Sequence, residues 1–186
     1  MSASSPTSLR PESTVQQSVF EGMFVNVLEA RAGTPLAEAL RGAGFDVARQ
    51  EARYPGRVWK ASLEAACREV SPQLPEHTAM QQLGSRFLEG FLQTLAGRAV
   101  ALLLPVFGAE GIMKRLPRFF TMGSQGTEVV AHEEAPRTWR VELRDLHPLP
   151  DFDAGIILAA LQRAGVQAEV TVAERGAERA VLHVRW

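Results

Sequence analysis

A chain of 186 residues, 46% apolar and 22% charged, is long enough to bury a core without disulfide or metal staples, and its length predicts one domain. A net charge of −1 gives no broad positive field for nucleic acid or anionic lipid, and the single cysteine, Cys67, excludes an intramolecular disulfide and fits a reducing compartment. The first residues have neither a basic nor an apolar stretch of the secretory kind, and the apolar run Ala99–Phe107 is far short of the roughly 20 residues of a membrane span, so the cytoplasm is the expected location.

Residues 1–14, rich in Ser, Thr and Pro, predict a disordered lead-in to a domain over residues 15–186. Val19–Leu28 is apolar, but its β-branched residues and Gly22 leave strand and helix both open. Thr34-Pro35 predicts a helix start, because threonine satisfies a free backbone N–H and proline at the first position has no donor to waste. Gly42 and Gly44 end that helix. A further helix over residues 57–70 gathers Trp59, Leu63, Ala66, Cys67 and Val70 on one face, and Ser71-Pro72 closes it. Thr78 and Gln81 have capping-box spacing; behind them Met80, Leu83, Phe87, Phe91 and Leu95 form an amphipathic stripe to about Gly97. A buried helical run to Leu104 and a short piece over residues 110–116 follow.

Near Gly126 the hydrophobic period changes from helical to two residues. Trp139–Arg144, Val166–Val172 and Ala180–Trp186 alternate as strands with one face on a core, and residues 127–133 form a weaker strand ending at Pro136. A helix over residues 152–164, capped by Asp151 and stopped by Gly165, separates the two strand pairs. The predicted class is α+β: a helical half (15–120), then a β-β-α-β-β antiparallel sheet unit (126–186). Ile156, Ile157, Leu158 and Leu161 make that helix apolar on every side, so either the N-terminal helices or a second subunit must cover it.

No constellation for chemistry stands out. His77, His132, His147 and His183 are scattered without metal-ligand spacing, so no metal or cofactor is expected. Cys67 reads as a buried packing residue. Asp151 and Asp153 read as first-turn acids favoured by the helix dipole, and Gly123–Gly126 as a turn. Lys114–Arg118 reads as a solvated helix end; as a recognition element it would make a weak nucleic-acid contact. Trp59, Cys67, Phe87 and Phe91 are the candidates for lining an apolar ligand site. Arg86, Glu89 and Arg98 are the candidates for a dispersed enzymatic site.

Leu83–Arg98, Gly44-Phe45-Asp46, Tyr54-Pro55 with Trp59, Leu116–Phe120, Pro150–Gly155 and Val184-Arg185-Trp186 together resemble the signature of a myxobacterial paralogous family of unknown function over most of residues 19–186. The chain has Ser71-Pro72 where that family usually has Tyr before Pro, and Thr121–Thr127 lacks its Asn and Tyr. The helical half followed by β-β-α-β-β is similar to the fold of haem nitric-oxide-binding, vinyl-reductase-like and small TRAPP-subunit domains. That resemblance implies an apolar ligand held in the helical half and dimerisation through helices. It implies neither haem nor metal, because no Tyr-x-Ser-x-Arg haem-propionate pattern and no terminal cysteine cluster is present. The expectation is therefore a non-enzymatic regulatory or scaffold protein, a homodimer, binding a small apolar ligand or a protein partner.

Overall fold

A computed structural model describes residues 11–93 and 95–186. The elements in chain order are β1 (Thr14–Gln16), α1 (Gln17–Phe20) running on into a π-helical segment (Glu21–Val27), α2 (Pro35–Gly42), β2 (Arg53–Pro55), α3 (Gly56–Val70), α4 (Glu76–Gln93), α5 (Leu95–Phe120), β3 (Ser124–Gln125), β4 (Glu128–Ala135), β5 (Thr138–Arg144), α6 (Pro150–Arg163), β6 (Glu169–Arg175) and β7 (Arg179–Arg185). Helices come first and the main sheet last, the α+β arrangement expected from the change of period. Among the described residues no helix is long and apolar enough to cross a membrane.

The main sheet has the order β4-β5-β7-β6 with every neighbour antiparallel. Trp139, Val141 and Leu143 of β5 lie opposite Val184, Leu182 and Ala180 of β7, and all six are buried. The two-residue period puts these pairs on one face, where they form a core with Ile157 and Leu161 of α6. On the other face Glu142 accepts hydrogen bonds from Arg140, Arg144 and Arg179, which cover it. A second core lies among the helices, around Phe20, Phe24, Phe45, Tyr54 and Trp59.

Several boundaries differ from expectation. The Thr34 hydroxyl caps α2 by accepting from the Ala37 N–H at 3.2 Å, as predicted. By contrast, α4 opens at Glu76, so Thr78 and Gln81 lie inside it and form no capping box; proline at 75, with φ already helical, moves the start upstream. Pro150 does the same for α6, whose cap position is Leu149. Asp151 is therefore not the cap; its carboxylate accepts two hydrogen bonds from Arg175 of β6, at 2.5 and 2.7 Å. α5 continues through the expected gap after Leu104 and breaks at Gly108, whose φ of 62° and ψ of 177° suit glycine alone.

A small antiparallel sheet, β2-β1-β3, had no sequence signal, because strands of two or three residues are too short for alternation to show. It ties down the end of the expected lead-in. Residues 1–10 of that expected lead-in lie outside the described residues; within its last part Ser13 is buried and Thr14 opens β1.

The helix predicted to need an outside cover is covered from within. α6 crosses α4 with backbones in contact: a Cβ on Gly84 would lie 1.9 Å from the Phe152 carbonyl oxygen, and one on Gly155 would lie 2.0 Å from that of Gln81. Ile157 and Leu161 are fully buried inside the chain and Ile156 and Leu158 are half-buried. The packing of α6 against α4 and the sheet thus accounts for most of its apolar surface within the chain, without calling on a second subunit.

Candidate functional site

Between the helical core and the sheet core lies a cavity of about 610 Å³. Five elements bring apolar side chains to it by helical spacing. α4 contributes Phe87, Leu88 and Phe91, α5 contributes Leu104, Ile112 and Leu116, and α6 contributes Phe152, Ile156 and Ala160. Trp59 enters from α3, and Val19 and Gly22 from α1 and the π-helical segment. A π-helical turn widens the local spacing, and Gly22 adds no side chain: a Cβ built there meets nothing within 4 Å. The size is that of a small-molecule site.

Among the described residues the wall carries two carboxylates and neither lysine nor arginine. Asp145, just beyond β5, is fully engaged. It accepts from the hydroxyls of Ser13 at 3.0 Å and Thr127 at 2.5 Å and from the His147 N–H at 2.8 Å, which ties β1 and the β3–β4 connection to the sheet. Asp153, in the first turn of α6, has no hydrogen-bond partner for its carboxyl among the described residues; it is half-buried and lines the cavity. Burial lifts its pKa well above the usual carboxylate range, and the neighbouring charges of Asp145 and Asp151 add to the rise. His147 reaches the rim, its Nε2 lying 3.5 Å from a Glu12 carboxylate oxygen.

Of the residues singled out from sequence, Trp59, Phe87 and Phe91 meet on this wall. Trp59 packs edge-on against Phe87 and Phe152, with ring centres 6.1 and 5.7 Å apart. Cys67 does not join them; it is buried in the helical core, where burial, with smaller contributions from nearby charges, pushes its thiol up to about 11. Arg86, Glu89 and Arg98 are exposed and off the wall, so they assemble no site. The basic cluster is occupied within its own helix: Lys114 pairs with Glu110, Arg115 lies over the Phe107 ring at 4.3 Å, and Leu116 is buried. Of the α6 set, Ile156 is on the wall while Ile157 and Leu161 pack into the sheet core.

Sequence reasoning missed Asp153 and the α5 wall. A signal for Asp153 exists: residues 153, 156 and 160 share one helical face, so an acid stands on an otherwise apolar stripe. The helix dipole explained that acid well enough to hide it. The α5 residues carry no comparable mark, because their helix is apolar around most of its circumference.

No curated protein matches the chain. Solved structures share its fold. One, described for modulation of haem redox potential through protein-induced porphyrin distortion, is 12% identical with a TM-score of 0.63, over 92% of this chain and 99% of the other. An H-NOX protein from S. oneidensis in the Fe(II)NO ligation state is 12% identical with a TM-score of 0.62, over 90% and 95%. An oxygen-binding H-NOX domain related to soluble guanylate cyclases, in its oxygen complex, is 12% identical with a TM-score of 0.59, over 91% and 94%. At such identities the likeness is one of fold. The family model described as protein of unknown function, DUF2378, matches residues 13–186, and the chain belongs to that family.

Proposed function

We propose that this protein is a non-enzymatic regulatory protein that binds a small, largely apolar ligand in the cavity between its helical half and its sheet. The cavity carries the reading. It is roomy, walled by aromatic and aliphatic side chains, and placed where two cores meet, so an occupant would touch α4, α5 and α6 together. A ligand that binds there shifts the balance between arrangements of those helices by its differential affinity, which is the physical basis of a sensor.

One structural neighbour is described for modulation of haem redox potential, yet the residues of this wall do not fit haem. Iron needs an axial His, Cys, Met or Tyr. Among the described residues the wall offers His147, turned to Glu12, and Met122, 49% exposed. Two anionic propionates would meet Asp145 and Asp153, with no lysine or arginine among the described residues of the wall. The ligand of this chain is therefore proposed to be something other than haem, and protein mixed with hemin will show no Soret band of a ligated iron.

The test is a fluorescence titration with N-phenyl-1-naphthylamine, a dye that brightens in apolar surroundings. Saturable binding of one dye per chain is expected, at least tenfold weaker in Ala160→Trp, whose indole would intrude on the cavity, and in Gly22→Leu. Equal binding by all three folded proteins would remove the cavity from the account.

A further inference from the structure

Asp153 is an expense to the fold that nothing in the fold recovers. A carboxyl under an apolar roof, with no donor facing it, costs stability whether it stays neutral or ionises. Phe152 beside it and Ile156 one turn later are apolar wall, and an alanine or leucine at 153 would extend that wall.

Resting on the reading of the cavity as a ligand site, we propose that its ligand is an amphipathic amine, an apolar body of alkyl or aryl character carrying one ammonium group, with that ammonium seated on the Asp153 carboxylate. Three observations converge. First, the acidic group is aimed into the cavity and lacks a partner among the described residues, whereas Asp145 nearby has three donors. A second donor set is thus unnecessary at 145 and wanting at 153. Second, the ionisable acids of this wall are Asp145 and Asp153, and no lysine or arginine lines it among the described residues, so an ammonium has a partner there where a carboxylate or phosphate has none. Third, the clustered rings of Trp59, Phe87 and Phe152 line the same cavity as the acid, and aromatic rings attract a desolvated cation.

The bound geometry is self-consistent. An ammonium facing the cavity side of Asp153 would pair with a carboxylate whose other side lies at the N-terminal end of a helix of 14 residues, which itself favours the anion. The body of the ligand would run toward Leu104, Ile112 and Ala160.

Calorimetric titrations with dodecylamine, dodecanol and dodecanoate, each below its micelle concentration at pH 7, separate the possibilities. Dodecylamine is expected to bind at least tenfold more tightly than dodecanol, and dodecanoate more weakly than either. In Asp153→Asn that preference for the amine is expected to vanish while dodecanol affinity stays the same. Equal affinities for amine and alcohol in the wild type, a preference for dodecanoate, or an amine preference that survives in Asp153→Asn each overturns the assignment while leaving the cavity as an apolar site. Failure of all three probes, with Ala160→Trp no different, brings down the cavity reading itself. The wild-type ratio of amine to alcohol decides the matter even if the variant fails to fold.

Discussion

Asp153 and Glu142 are both acids removed from bulk water, and their surroundings drive them in opposite directions. Glu142 is held by hydrogen bonds from Arg179 and Arg144, then Arg140, which lower its pKa from 4.5 to about 2. A depressed carboxylate pKa adds stability that is fully present above the unfolded value and disappears as pH falls from about 4.5 toward 2. Glu142→Gln should therefore cost about 1–3 kcal/mol at pH 7 in urea unfolding, with the difference from wild type shrinking through that acid range. Asp153 works the other way, its folded pKa standing well above 3.8. The folded state then holds a proton that the unfolded chain has released, so stability falls as pH rises above 3.8. Asp153→Asn should raise Tm by a few degrees at pH 7 and by nothing at pH 3. A loss of Tm at pH 7 would show that the acid stabilises the empty fold, and the case for its serving a ligand would go. Cys67, buried and raised to about 11, should resist alkylation in the native protein at pH 8 and react only on unfolding.

At the scale of elements, the crossing of α4 and α6 holds the helical half to the sheet, and it depends on two residues without side chains. Because the obstructing atoms at Gly84 and Gly155 are backbone carbonyl oxygens about 2 Å away, no side-chain rotation relieves the contact. Gly84→Ala and Gly155→Ala should each cost about 3 kcal/mol or more in chemical unfolding, as overpacking does. Gly22→Ala, with open space around its Cβ, should cost nothing and gain several tenths of a kcal/mol from helix propensity. This crossing also explains what the chain's pattern concealed. Alternation in β5 and β7 and the stripe on α4 were legible because each element has one wet face and one dry face. The all-round apolar α6 announced a sandwiched helix, but hydrophobicity carries no direction, so a covering helix and a covering subunit looked alike. Gly84 and Gly155 held the answer, yet a glycine within a helix is marked by what it lacks. Asp151 and Asp153 were harder still. Two acids in one helical turn have the same local rationale, and only the fold turns one to Arg175 at the surface and the other to the cavity.

For the whole molecule, the cavity is a consequence of two cores that meet without merging. The aromatic helical core closes around Phe20, Phe24 and Phe45, and the aliphatic sheet core closes around Val141, Leu182 and Ile157. α5, bent at Gly108, bridges the space between them without filling it. Its outer side carries Leu102 and Val106, 78% and 77% exposed, a second apolar surface open to a greasy probe. Carbon-13 methyl NMR during titration with dodecylamine distinguishes the two places directly. Perturbations should concentrate on Leu88, Leu104, Ile112 and Ile156 and leave Leu102 and Val106 unchanged. Shifts confined to Leu102 and Val106, with the four interior residues silent, would contradict a ligand site inside this fold.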